Sequence, residues 1–185
     1  MAFPTEKKFV REKGHIILPI SGVEIPGFVR GEADKARLVE KPEYHISVAV
    51  TKNSKRILDA LAGASDPNSF WEEIVSLVNE FSWEYELLDK YYLLENKYDR
   101  EELLESGYKD LTEHTRRTIV QEAKLTDIES FYDKLSNLLN ISFDIPVPHI
   151  TLFSWSDYPP LMSRGIGICS KQEFDKYTVR EIVKP

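Results

Sequence analysis

Cysteine is nearly absent from this chain: Cys169 is the only one in 185 residues. That excludes a disulfide framework and a zinc knot built from cysteines. A lone thiol fits a reducing compartment. Long apolar runs are missing too. No stretch approaches the ~20 apolar residues that span a bilayer, and Met1 to Lys8 carries no apolar signal core. The expected location is the cytoplasm, with no membrane partner. Excess positive charge is also lacking: 24 Lys and Arg face 31 Asp and Glu, for a net charge of -7. Phosphate contacts dominate nucleic-acid affinity, so this balance argues against a tight binder of duplex or long RNA. It leaves room for a small phosphate substrate in a locally basic cleft.

Histidine is scarce as well, with four residues. Two of them sit in matching surroundings. Glu43-Tyr44-His45-Ile46-Ser47-Val48-Ala49-Val50 and Val147-Pro148-His149-Ile150-Thr151-Leu152-Phe153 both read His, apolar, hydroxyl, apolar. Each lies in a run that alternates like a half-buried strand. Residues two apart on a strand share a face. His45 and Ser47 therefore project together, and so do His149 and Thr151, while Tyr44, Ile46 and Val48 turn toward the core. By the same period Phe153 and Trp155 share the face of His149, with Tyr158 close in sequence. They are candidates to flank a cleft and stack on a base; packing in the core is the competing reading. His15 and His114 lack the pattern and have no evident partner.

The rest of the chain reads as one compact domain, 1–185. Strands are expected over 15–20, 43–51, 81–88, 91–98, 117–125, 148–155 and 177–183. Residues 28–37 read as a loop or edge strand. A short helix over 54–61 would be capped by Asn53 and ended by Gly63. Asp66-Pro67 opens a helix running to about Glu80, and 99–108 is a short helix or loop. Thr126-Asp127 caps a helix with apolar face Ile128, Phe131, Tyr132, Leu135, Leu138 and Leu139, ended by Asn140; another helix lies near 171–176. Each half contributes strand, helix and strand with one His strand. Segregated, mostly antiparallel strands with helices make an α+β fold.

At His45-Ile46-Ser47 and His149-Ile150-Thr151, 104 residues apart, the chain resembles the 2H phosphoesterase superfamily. That group includes the LigT-like RNA 2′,3′-cyclic phosphodiesterases, also known as 2′-5′ RNA ligases. The resemblance covers most of 40–155, and Ser47 stands where Thr is common. It implies two pseudo-symmetric lobes of mostly antiparallel sheet with flanking helices and an active cleft between them. It implies phosphodiester hydrolysis needing no metal and no cofactor, with a small nucleotide or an RNA end as substrate. One His would be general acid and the other general base, and Ser47 and Thr151 would donate to non-bridging phosphate oxygens. Alternatives of the same chemistry are a nuclease of cyclic oligonucleotide signals, as in some phage members, and a member that binds a nucleotide without cleaving it. A zinc site using both His with Glu43 and Asp157 is the chemical rival. Gly165-x-Gly167 is a weak phosphate-loop signal: no helix N-terminus clearly follows, and turn or close-packing glycines account for it better.

Overall fold

A computed structural model describes residues 7–105 and 108–185; the expectation of no leader falls on a start whose residues 1–6 lie outside that range. Among the described residues, eight strands form one antiparallel sheet. They are β1 (Lys8–Val10), β2 (His15–Ile20), β3 (Val39–Glu40), β4 (Tyr44–Ala49), β5 (Tyr85–Tyr98), β6 (His114–Leu125), β7 (His149–Ser156) and β8 (Thr178–Ile182). The main path runs β1-β2-β4-β7-β6-β5-β8, with β3 paired to β7 beside β4. The helices are α1 (Gly27–Lys35), α2 (Thr51–Gly63), α3 (Pro67–Glu80), α4 (Arg100–Glu105), α5 (Ile128–Leu139) and α6 (Lys171–Tyr177). The fold is α+β, as the sequence predicts.

Two strand-helix-strand units meet at the centre of the sheet. In the first, β2 leads through α1 to β4 and pairs with it; in the second, β6 leads through α5 to β7 and pairs with it. The two units join edge to edge where β4 meets β7. One face of the sheet supports the main core. Ile16, Leu18, Ile46, Val48, Ile150 and Leu152 pack there against Val29 and Ala33 of α1, Ile57 and Leu61 of α2, Trp71, Ile74 and Val78 of α3, and Phe131 and Leu135 of α5. The opposite face carries a smaller cluster, in which Leu94 and Val120 meet Ile166, Ile168, Phe174 and Tyr177 from the C-terminal segment.

Local chemistry explains most boundaries. The Asp66 carboxylate accepts hydrogen bonds from the N–H groups of Asn68 and Ser69, both at 3.1 Å, with Pro67 at the first helical position. Asn140 ends α5 in the left-handed conformation. Several expectations are corrected. Residues 27–35 form a helix rather than a loop or edge strand. Asn53 does not cap α2, which starts at Thr51. Its buried side chain instead donates to Tyr132 Oη and to the Asp144 carbonyl, both at 2.9 Å, and so ties α2 to α5 and to the approach to β7. The two strands expected around Asp89-Lys90 are one strand, β5, with a register shift between Leu87 and Tyr91. The 99–108 stretch holds the helix α4, and its residues 106–107 lie outside the described range.

Candidate active site

The central strand pair brings the two His motifs side by side. The register of β4 on β7 is Ile46 opposite Ile150. Continued one residue each way in an antiparallel pair, it sets His45 across from Thr151 and Ser47 across from His149. Since Ile46 and Ile150 belong to the main core, the other four side chains share the opposite face. They make a two-by-two block with the imidazoles on one diagonal and the hydroxyls on the other. Ile150 follows Ile46 by the same 104 residues that separate His149 from His45 and Thr151 from Ser47. A local two-fold axis therefore passes between Ile46 and Ile150, and each motif is the image of the other.

The two imidazoles have different surroundings. His149 is only 8% exposed, and its Nδ1 lies 2.7 Å from the Val147 carbonyl. A carbonyl only accepts, so Nδ1 carries the proton and Nε2 presents a lone pair. Burial pushes His149 below the ordinary histidine pKa, and its hydrogen bond to Val147 opposes that only in part. His45 is half-buried. It too is lowered, first by burial, then by the positive charge of Lys41 and by His149, while Glu43 pulls the other way. Neither the Ser47 nor the Thr151 hydroxyl makes a hydrogen bond among the described residues.

The surroundings carry both signs of charge, Lys41 and Glu43 beside His45 and Lys13 and Arg164 beside His15. Lys41 follows β3 and donates from Nζ to the Ser163 carbonyl. Burial lowers its pKa, with Glu43 opposing. His15, on the same face of β2, is lowered by burial and by the charges of Lys13 and Arg164. Beyond His45 a groove of about 600 Å³ runs over β2, lined among others by Ile17, Pro19, Pro42 and Glu43. Its mixed lining, with Ile17, Pro19 and Pro42 beside Lys7 and Glu43, would suit the organic part of a substrate whose anionic part sits at the His block.

The flanking aromatics are not where period two puts them. β7 pairs with β6 as Thr151 opposite Val120, then Phe153 opposite Ile119. Leu152 has no partner of its own in this ladder, so β7 carries a bulge there. The extra residue returns Phe153 and Trp155 to the helix-covered face. Phe153 is 4% exposed within the main core, and Trp155 packs against that core with the Arg117 guanidinium 5.1 Å from its ring centre. Tyr158 is exposed and stands beyond the end of β7, its ring edge-on to His114. Phe153 and Trp155 thus lie on the face opposite the His block, which corrects their assignment as its substrate-binding side chains. The proposed metal carboxylates are also separated. Asp157 binds His114 at the far end of β7, and no group of three or more His, Cys, Asp or Glu among the described residues is arranged to hold a metal ion.

Motif reading missed one feature and only touched a second, at Gly165-x-Gly167. His114 is fully buried and donates from Nδ1 to Asp157 Oδ1 at 2.6 Å. Its Nε2 accepts from Arg116 Nε at 2.9 Å, a bond only this tautomer allows because guanidinium has no acceptor. Arg116 is 9% exposed, lies 4.8 Å from the Tyr98 ring centre, and reaches the Gly165 carbonyl at 3.4 Å. The second feature is the segment 165–168. Gly165 lies against Thr151, where an added Cβ would stand 3.1 Å from Oγ1, and Gly167 lies against Thr51. The segment thus crosses the face beside the His block as a strap, anchored by Ile166 and Ile168 in the smaller core.

No family model, curated protein or solved structure matches the chain.

Proposed function

We propose that this chain is a phosphodiesterase in which His45 and His149 act as general acid and base. The favoured substrate is a 2′,3′-cyclic phosphate on a small nucleotide or an RNA end. The observation that carries the reading is the two-by-two block, with two imidazoles and two free hydroxyls on one face about a local two-fold axis. The resemblance of both motifs to the 2H phosphoesterases supports it. So does the placing of Lys41 beside His45, with Lys13 and Arg164 further along beside His15, on an otherwise acidic protein.

The block addresses both obstacles to phosphodiester cleavage. His149, with Nδ1 held by Val147, offers the Nε2 lone pair to an attacking water or hydroxyl. His45, more open and beside Glu43, takes up a proton when a phosphate anion arrives and gives it to the leaving oxygen. Ser47 and Thr151 donate to the non-bridging oxygens as charge builds there. With a cyclic phosphate the water adds to phosphorus, one P–O bond to the ribose breaks, and a monoester results.

The test is turnover in EDTA of nucleoside 2′,3′-cyclic phosphates, an RNA with a cyclic phosphate end, and cyclic di- and trinucleotides. His45→Ala and His149→Ala should each cost about 10²–10⁴ in rate. Activity abolished by chelator, or less than tenfold loss in both folded variants, refutes the two-His mechanism. A second reading, cleavage of cyclic oligonucleotides, draws on the cations that continue past the block toward His15 and Arg164. The same panel separates it from the first.

A further inference from the structure

The strap over residues 165–168 has an unusual feature. None of its four backbone N–H groups makes a hydrogen bond among the described residues. Yet Ile166 is 3% exposed and Ile168 2%. Buried backbone N–H groups without an acceptor are rare and cost free energy. Their neighbours suggest what they await. His149, more than nine-tenths buried, leaves Nε2 without a partner among the described residues. Thr151, with its free hydroxyl, touches Gly165.

The orientation of the strap is fixed from behind. Arg116 grips the Gly165 carbonyl from the end of the sheet that holds His114 and Tyr98. Asp157 and His114 hold Arg116 there, and no carboxylate forms an ion pair with it among the described residues. The peptides of the described residues are all trans. In a trans peptide C=O and N–H point opposite ways. The Gly165 carbonyl faces Arg116 at 3.4 Å, so the N–H of Ile166 points away from Arg116, in a segment whose Gly165 lies against Thr151. Glycine at 165 is what lets the backbone come this close to Thr151.

We propose that the backbone N–H groups of the strap, led by that of Ile166, are anion donors that take a non-bridging phosphate oxygen at the His block, and that the Asp157–His114–Arg116 chain aims them. The substrate group is a phosphate or phosphodiester; the inference rests on reading the block as a phosphoester site. Arg116 is then a positioning residue, acting through the Gly165 peptide. Pre-aimed backbone donors stabilise developing charge without reorganising, which is why such donors are effective.

The experiment follows backbone amide resonances of the whole chain during titration with inorganic phosphate. Saturable shifts at Ile166 and its strap neighbours are expected. Asp157→Asn keeps the shape of a half-exposed side chain but loosens His114, and Arg116→Met removes the grip. Each should weaken phosphate binding roughly tenfold or more, as loss of an aimed bond to a charged group does. Against a cleaved substrate both variants should lower kcat/KM about 10²-fold or more, with the larger part in kcat, the pattern of a donor whose bond strengthens as charge builds in the transition state. Arg116→Lys should rescue little, since an ammonium cannot span His114 and Gly165 together. Phosphate that shifts the His block but leaves the strap amides still overturns the inference and spares the two-His reading. Strap shifts without turnover of any phosphodiester support the inference and defeat that reading. No shift anywhere overturns the inference.

Discussion

Replacing Gly167 with alanine puts the close approach of the strap to a test independent of any activity. A Cβ built at Gly167 would stand 2.3 Å from Thr51 Cγ2 and 3.2 Å from Thr51 Oγ1. Two carbons need about 3.5 Å or more, so the strap or Thr51 must move by more than an ångström. Thr51 has little freedom to give way. Its backbone is left-handed, at φ 49°, where a β-branched residue is already strained, and its hydroxyl lies 2.7 Å from Cys169 Sγ. Overpacking of this kind costs about 1–3 kcal/mol. In a chain of this size each kcal/mol moves Tm by about 2–4 °C, so Gly167→Ala should melt roughly 2–12 °C lower. Thr51→Ser deletes the clashing methyl and keeps the hydroxyl; alone it should cost about 1 kcal/mol or less. In the double variant most of the Gly167→Ala penalty should vanish, a coupling of about 1–2 kcal/mol. Urea and thermal melts of the four proteins measure it. An unchanged Tm for Gly167→Ala, or strict additivity of the two changes, would refute this packing.

Phe153→Ala should destabilise by about 3–5 kcal/mol, as expected of a core phenylalanine, and leave phosphate binding unchanged at low temperature; weaker binding with an unaltered melt would return Phe153 to the substrate cleft. His149 and His45 have folded pKa values below the unfolded 6.5, so below that pH the unfolded chain binds more protons. This contribution should be fully present well above pH 6.5 and fall away as pH drops below it, and His149→Gln should flatten that slope in urea midpoints; an equal slope in both proteins contradicts the assignment. Asp66→Ala removes both side-chain bonds that cap α3 and should cost about 1 kcal/mol by denaturant melts, whereas a change within a few tenths would deny the cap its role.

The His strands were legible because burial on one side of a strand writes a period of two. The β7 bulge was legible too, though not by applying that period rigidly. Polar residues occupy 149, 151, 154 and 156, and apolar ones 150, 152, 153 and 155. The alternation slips at Leu152-Phe153, where the bulge lies. A uniform period sent Phe153 and Trp155 to the wrong face. Helix α1 had no such signature. It contains two glycines, Gly27 and Gly31, buries only Val29 and Ala33, and its cap position, Pro26, makes no side-chain hydrogen bond. Its helicity comes from packing on the sheet and not from propensity. Asn53 was misread for a related reason. Asn before an apolar run fits a cap, but its amide is used 79 residues away in sequence, on Tyr132.

The Asp157–His114–Arg116 chain shows why site chemistry can escape a sequence altogether. Asp157 lies 43 residues beyond His114, and no short motif joins them. What joins them is the β6–β7 register, which sets Arg116 opposite Ser156 and so brings the end of one strand to the start of the other. The partners of its cations explain how an acidic chain can still meet an anion with positive charge. Many of its surface cations are matched locally by carboxylates, as Arg30 is by Glu40, Arg117 by Glu95 and Lys171 by Asp175. Lys41 and Arg164 are held differently, by the Ser163 carbonyl and the Tyr108 hydroxyl. Neutral partners fix a cation's position without cancelling its charge. The net charge of -7 is therefore a sum over the whole chain, while the field that an arriving anion meets is set locally, by Lys41 and Glu43 beside His45 and by Lys13 and Arg164 beside His15.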